Sequence, residues 1–144
     1  MKLDDALGFA INNTGRSMSR ILTSAFHSYE VTPEQWSILK RLEEEDRITI
    51  KELSKRVGKD QANVTRISDL LDRKGFIQKI SNPEDKRSSL VCLTEEGHSI
   101  VRQLDPIDER VNDIALQDLT ENEIELLKKL LAKIRENINA ELHG

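Results

Sequence analysis

The chain is poor in several residue types that would open particular kinds of chemistry. It has one cysteine, Cys92, three prolines and five aromatic residues in 144. One cysteine excludes an internal disulfide framework, and His27, His98 and His143 stand too far apart to suggest metal-ligand spacing. No apolar run approaches the roughly 18 residues needed to cross a bilayer. The start also lacks the pattern of a signal peptide, so a cytoplasmic protein without membrane contact is expected. There is no glycine-rich phosphate loop, no nucleophile elbow and no paired acidic motif on a recognisable scaffold. Neither an enzyme nor a cofactor or metal protein is therefore expected.

What the chain does have is charge, unevenly placed. One third of its residues are charged and the net charge is −4. Residues 47–90 nevertheless hold eleven Lys/Arg against six Asp/Glu, a local charge of +5, and leave −9 on the remainder. Attraction to phosphate depends on the nearby field, which salt screens beyond roughly 10 Å, and not on the molecular sum. An acidic remainder also opposes indiscriminate coating of DNA.

The basic segment coincides with an informative pattern over residues 49–97. Thr49 and Glu52 form a capping-box signature that opens a short helix carrying Leu53 and Val57, and Gly58 breaks it. Asp60 caps a second helix over 61–74, with Val64, Ile67, Leu70 and Leu71 inward and Gln61, Asn63, Thr65, Arg66 and Asp69 off that stripe. Strands are predicted around 76–80 and 89–93, flanking an exposed loop with Lys86 and Arg87 at its tip. A helix-turn-helix followed by a basic hairpin suits duplex DNA. The second helix enters the major groove and the wing reaches the neighbouring backbone or minor groove.

Helices flank this module. Periodicity predicts one over residues 3–29, and Thr32-Pro33-Glu34-Gln35 opens another that carries Trp36, Leu39 and Leu42 inward. Thr94 is expected to cap a helix through about Ala115, kinked at Pro106. Thr120 and Glu123 open the last helix, whose Ile124, Leu127, Leu131, Ile134 and Ile138 recur at close to heptad spacing. With Leu7 and Ile11 of the first helix, these residues form apolar stripes suited to pairing two protomers. The expected class is therefore mainly α with a small β-hairpin wing. Its division is an N-terminal dimerisation helix (1–30), a winged helix-turn-helix (31–97) and C-terminal dimerisation helices (98–144).

Three segments carry a specific resemblance: Val64-Thr65-Arg66, then Leu71-Asp72-Arg73-Lys74-Gly75-Phe76-Ile77, and Asn82-Pro83-Glu84-Asp85-Lys86-Arg87-Ser88 running into Leu93-Thr94-Glu95-Glu96-Gly97. In order and spacing the chain resembles the MarR (multiple antibiotic resistance regulator) family of bacterial transcription factors. The resemblance extends over nearly its whole length. It implies a homodimeric winged helix-turn-helix regulator, most often a repressor. Such a protein binds pseudo-palindromic operators and often releases them to a small molecule or an oxidant.

The family's wing arginine carries over onto Arg87, with Asp85 placed to orient its guanidinium. A planar, multiply donating cation suits a narrow, electronegative minor groove. Gln61, Asn63, Thr65 and Arg66 are the candidates for bases or phosphates, since amides can pair with adenine, arginine with guanine and a threonine methyl with thymine. Lys55, Arg56, Lys59 and Lys86 are candidate phosphate contacts. A pocket for a small anionic or aromatic ligand is expected where the flanking helices meet the winged module, with Met18, Phe26, His27, Trp36 and Arg16 or Arg20 as candidate lining, although Phe26 and Trp36 sit on apolar stripes and read first as core.

Two departures stand out. Lys79 occupies a position where the family often has arginine. No cysteine lies near the amino terminus, where the peroxide-sensing branch carries its reactive thiol, and Cys92 on a wing strand reads as a small packing residue. The competing class is a winged-helix protein-interaction module that no longer binds DNA, against which Lys86 and Arg87 at the wing tip argue.

Overall fold

The computed structural model describes all 144 residues, which form six α-helices and three short strands. By packing, the chain makes two compact units, Met1–Val111 and Asn112–Gly144. The three-part division read from the sequence is one of role, and it cuts differently.

The first unit opens with a 3-10 turn at Leu3–Asp5. Helix α1 spans Leu7–Phe26, and a second 3-10 turn follows at His27–Tyr29. The single helix predicted over 3–29 is thus shorter. It passes into the 3-10 turn at His27, and that turn is ended by Glu30, which takes a left-handed conformation (φ 57°) while its N–H bonds the His27 carbonyl at 3.0 Å.

Helix α2 (Pro33–Glu44) begins at the predicted capping box. Thr32 Oγ1 accepts from the Gln35 N–H at 3.1 Å, and Gln35 Oε1 accepts from the Thr32 N–H at 3.2 Å. Such a cap contributes about 1 kcal/mol. Buried Trp36, Ile38, Leu39 and Leu42 line the inner face of α2.

A strand not read from the sequence follows, β1 (Ile48–Thr49), and leads directly into α3 (Ile50–Val57). Thr49 caps α3 by accepting from the Glu52 N–H at 3.1 Å. The reciprocal half of the expected box is not made, because the Glu52 carboxylate is engaged by Arg56 Nε at 3.2 Å. Gly58 ends α3 at φ 69°, a left-handed conformation that costs glycine little.

Helix α4 (Gln61–Arg73) starts at Asp60, whose Oδ1 accepts from the Asn63 N–H at 2.7 Å. Val64, Ile67 and Leu71 are buried as predicted. Strands β2 (Ile77–Ser81) and β3 (Ser89–Leu93) form the wing, and β3 lies between β1 and β2 in a three-stranded antiparallel sheet. Ile48 pairs with Val91 and Thr49 with Leu90.

Helix α5 (Glu95–Ala115) includes Pro106 and supplies Ile100, Val101 and Leu104 to the core. Its start rests on the turn between α4 and β2. Thr94 Oγ1 donates to the Gly75 carbonyl at 2.6 Å, and a Cβ at Gly97 would lie 2.1 Å from the Phe76 carbonyl oxygen. No side chain larger than hydrogen fits at Gly97 without moving that backbone. Lys40 of α2 meets Asp105 of α5 at 2.9 Å. Burial alone would lower the pKa of its ammonium, but the carboxylates of Asp105 and Glu43 hold it above the ordinary lysine value.

One core joins these elements. Phe26, Leu39, Leu42, Leu53, Val64, Leu71, Val91 and Leu104 are all fully enclosed. Each large side chain of this kind contributes roughly 1.5–3 kcal/mol on burial. Phe26 at the end of α1 belongs to this core, so the opening helix is anchored to the winged module.

In the second unit, α6 (Glu121–His143) starts at the predicted Thr120/Glu123 capping box. None of its residues is buried. Leu127 and Ile138 are exposed, and Ile124, Leu131 and Ile134 are half-buried. Leu126 and Leu130, outside the heptad seam, are exposed as well.

Candidate nucleic-acid interface

The wing tip is organised by one side chain. Asp85 Oδ1 accepts from the backbone N–H of Arg87 at 3.0 Å and from its Nε at 3.2 Å. The Asp85 carbonyl receives the Ser88 N–H at 3.1 Å, and Asn82 Nδ2 donates to Ser88 Oγ at 3.0 Å. Asn82 Oδ1 accepts from the Glu84 N–H, closing the turn after Pro83. These bonds hold a seven-residue loop in one shape while the Arg87 side chain stays 92% exposed. A guanidinium oriented at its base and free at its tip is what insertion into a groove requires. Lys86 beside it is exposed.

On α4, Gln61 and Arg66 are exposed, and Asn63 and Thr65 are half-buried. Arg66 Nη2 donates to Asn63 Oδ1 at 2.7 Å, so these two predicted residues act on one another. Lys55 is exposed at the end of α3 and Lys59 is half-buried in the turn.

Arg56, one of the candidate phosphate contacts, is engaged within the protein. It pairs with Glu45 after α2 and with Glu52 one turn back on α3. Two carboxylates satisfy its charge within the protein, leaving Lys55 as the free cation of that helix end.

Two further cations bind inward to this framework, which sequence reasoning did not foresee. Lys74 donates to the Glu30 carbonyl and to Gln35 Oε1, tying the end of α4 to the start of α2. Lys79 on β2 pairs with Asp69 on α4. The lysine that departs from the family's arginine therefore still makes an ion pair. Arg47, in a left-handed conformation at φ 59°, borders a solvent-open hollow of about 440 Å³ beneath the wing, with Thr49, Asn82 and Leu90. A cation alternating with acidic residues along a chain gives no sign in sequence of which partner it takes.

The expected ligand pocket does not take the form predicted for it. Phe26 is fully buried and Trp36 is 6% exposed, with ring centroids 5.6 Å apart and planes tilted by 55°. The two rings fill the core against each other and leave almost no aromatic surface to line a chamber. Met18 is half-buried, and His27, Arg16 and Arg20 are exposed. The two arginines bond Asn13 and Ser17 on their own helix.

Cys92 is buried on β3. Desolvation pushes its thiol above the ordinary cysteine value, and the nearby Asp46 carboxylate adds to that shift. A thiol disfavoured as thiolate is a packing residue and not a sensor.

The MarR family pattern matches residues 31–89, from the start of α2 to the beginning of β3. The multiple antibiotic resistance protein MarR of Salmonella typhimurium is 33% identical over 132 residues, covering 89% of this chain and 90% of that protein. The chain belongs to the MarR family. A crystal structure of a MarR mutant from Escherichia coli complexed with operator DNA is 30% identical. It superposes with a TM-score of 0.82 over 89% of this chain and 92% of that one. A probable transcriptional regulator from Pseudomonas aeruginosa, 28% identical, gives 0.86 over 92% and 99%. This MarR-family chain is a DNA-binding, winged-helix transcription regulator, and regulation rather than catalysis is the family's work. No helix is long and apolar enough to cross a membrane.

Proposed function

We propose that this MarR-family regulator acts in the cytoplasm as a homodimer that represses transcription by gripping a pseudo-palindromic operator. The observation that carries the DNA-reading part is Arg87, oriented by Asp85 and otherwise exposed. Gln61, Thr65 and Arg66 on α4 meet the bases, with Asn63 beside them. Lys55, Lys59 and Lys86 hold phosphates. Pairing is supported by α6, a 23-residue helix without one buried residue that carries a near-heptad apolar seam, and by exposed Leu7 and Ile11 on α1. A two-fold dimer presents two recognition helices, and an inverted repeat matches that symmetry.

Release by a small anionic ligand completes the proposal. The exposed guanidinium groups of Arg16 and Arg20 support an anion contact, while Phe26 and Trp36 are committed to the core. An interaction module without DNA binding would have no use for a wing tip braced in this way.

Selection of bound fragments from random duplex DNA tests the reading. Enrichment of an inverted repeat is expected. Recovery of no preferred sequence would remove operator recognition, and a single unrepeated half-site would remove the dimer.

A further inference from the structure

Four polar side chains of α4 were candidates for reading bases, and the structure separates them. Asn63 Oδ1 accepts from Arg66 Nη2 at 2.7 Å across one helical turn. An asparagine that reads adenine must offer its Oδ1 to the N6 amino group while its amide donates to N7. In Asn63 one of the two lone pairs of that oxygen is already taken by Arg66, and the amide plane is set by that bond rather than by a base. Arg66, by contrast, has five N–H donors, and one bond to Asn63 leaves four. That is enough for a bidentate contact to guanine O6 and N7, the commonest specific pairing in the major groove.

We infer that Asn63 is a positioning residue for Arg66, and that the pair together reads one guanine in each half-site. The inference rests on the DNA-reading function proposed above and adds which residue reads and which one aims. A neutral amide suits the aiming role. It fixes one edge of the guanidinium without cancelling its charge, and the full attraction to the electronegative groove remains. At the wing, where Asp85 braces Arg87, the brace is a carboxylate and part of the field is lost. Arg56 shows the limiting case, with two carboxylates holding one guanidinium. Gln61, exposed at the first position of α4, makes no hydrogen bond with its side chain within the protein and keeps both amide edges for adenine.

The test uses a duplex recovered by selection with the wild-type protein, together with all of its single-base-pair variants. Arg66→Ala should erase preference for guanine at one symmetric pair of positions, a loss of roughly 5- to 150-fold in discrimination. Asn63→Ala should weaken preference at that same pair, and the double variant should lose no more than Arg66→Ala alone. Asn63→Asp keeps an acceptor oxygen, so it should retain the guanine preference while lowering affinity for every duplex and reducing the salt slope. Replacing the guanine by 7-deazaguanine should level wild type and Asn63→Ala. If Asn63→Ala relaxes preference at a different base pair from Arg66→Ala, Asn63 reads a base itself and the positioning role is wrong. Additive losses in the double variant would overturn that role equally. If the four α4 variants bind every duplex as the wild type does, α4 is not the reading helix, and the proposed function fails together with the inference.

Discussion

Lys79 on β2 reaches Asp69 on α4 and closes an ion pair between the wing and the recognition helix. The two side chains are 30% and 46% exposed, so water screens the pair and its worth is at most about 1 kcal/mol. Its consequence is positional, since the strand that leads into the wing is tied to the helix proposed to enter the groove.

Lys79→Met should therefore lower unfolding free energy by less than about 1 kcal/mol, and Lys79→Arg should be neutral. Urea titrations at low salt check this. The difference between wild type and Lys79→Met should shrink toward zero near 1 M salt, where screening acts over about 3 Å.

Lys55 and Arg56 are neighbours in different surroundings, the first exposed and the second paired with two carboxylates. Arg56→Ala removes a cation from Glu45 and Glu52, and should cost about 1 kcal/mol of stability with little change in the salt dependence of DNA binding. Lys55→Ala should leave stability unchanged and reduce the log–log salt slope by about one. Equal salt slopes for the two variants would contradict this division.

At the wing, Arg87→Ala should weaken binding to many duplexes alike and lower the salt slope by about one. Asp85→Ala should act differently. It adds net positive charge yet frees the arginine, so affinity for random DNA should hold or rise while preference for the selected operator falls. Titrations against operator and scrambled duplex separate the two outcomes.

Much of this was legible because local chemistry and tertiary packing agree. Thr32, Asp60 and Thr120 cap the helices they were expected to cap, and the apolar stripe Val64, Ile67, Leu71 is buried as its spacing requires. The failures share one physical cause, dependence on a distant partner. Strand β1 is two residues long and exists only because Val91 and Leu90 lie opposite. The ion pair of Arg56 is invisible until Glu45 is seen beside it. Phe26 and Trp36, by contrast, sit on apolar stripes that favour core over pocket wall, and their adjacent buried rings bear that out. Asn63 and Arg66 stand three apart on one helix, yet which of several exposed polar residues would bond to each other was not written in the spacing.

The buried thiol gives a pH signature. Cys92 has its folded pKa raised by desolvation and by Asp46, so the folded state retains a proton that the unfolded chain gives up first. Its contribution to stability is full below the unfolded value, near 8.5, and is lost as pH rises through the folded value. Unfolding midpoints should fall more steeply above about pH 8.5 in the wild type than in Cys92→Ala. Alkylation of the native protein at neutral pH should be far slower than in urea. Rapid native labelling would show an accessible thiolate that the structure does not hold.

The last expectation concerns the seam on α6. Leu127 is 44% exposed and Leu131 half-buried on a helix that has no buried residue. If two protomers pair through this seam, aspartate at both positions places unpaired charge in an apolar contact, at several kcal/mol. The Leu127→Asp, Leu131→Asp double variant should sediment as a monomer at micromolar concentration where the wild type sediments as a dimer. The core around Phe26, Leu39 and Leu71 lies in the other unit, so helical content should be largely kept. Operator binding should fall with dimerisation, because a monomer engages one half-site at a time. Inserting about five base pairs between half-sites, half a helical turn, should reproduce that loss with wild-type protein. A monomeric wild type, or one indifferent to the insertion, would mean that the apolar seam serves something other than a rigid two-fold grip on DNA.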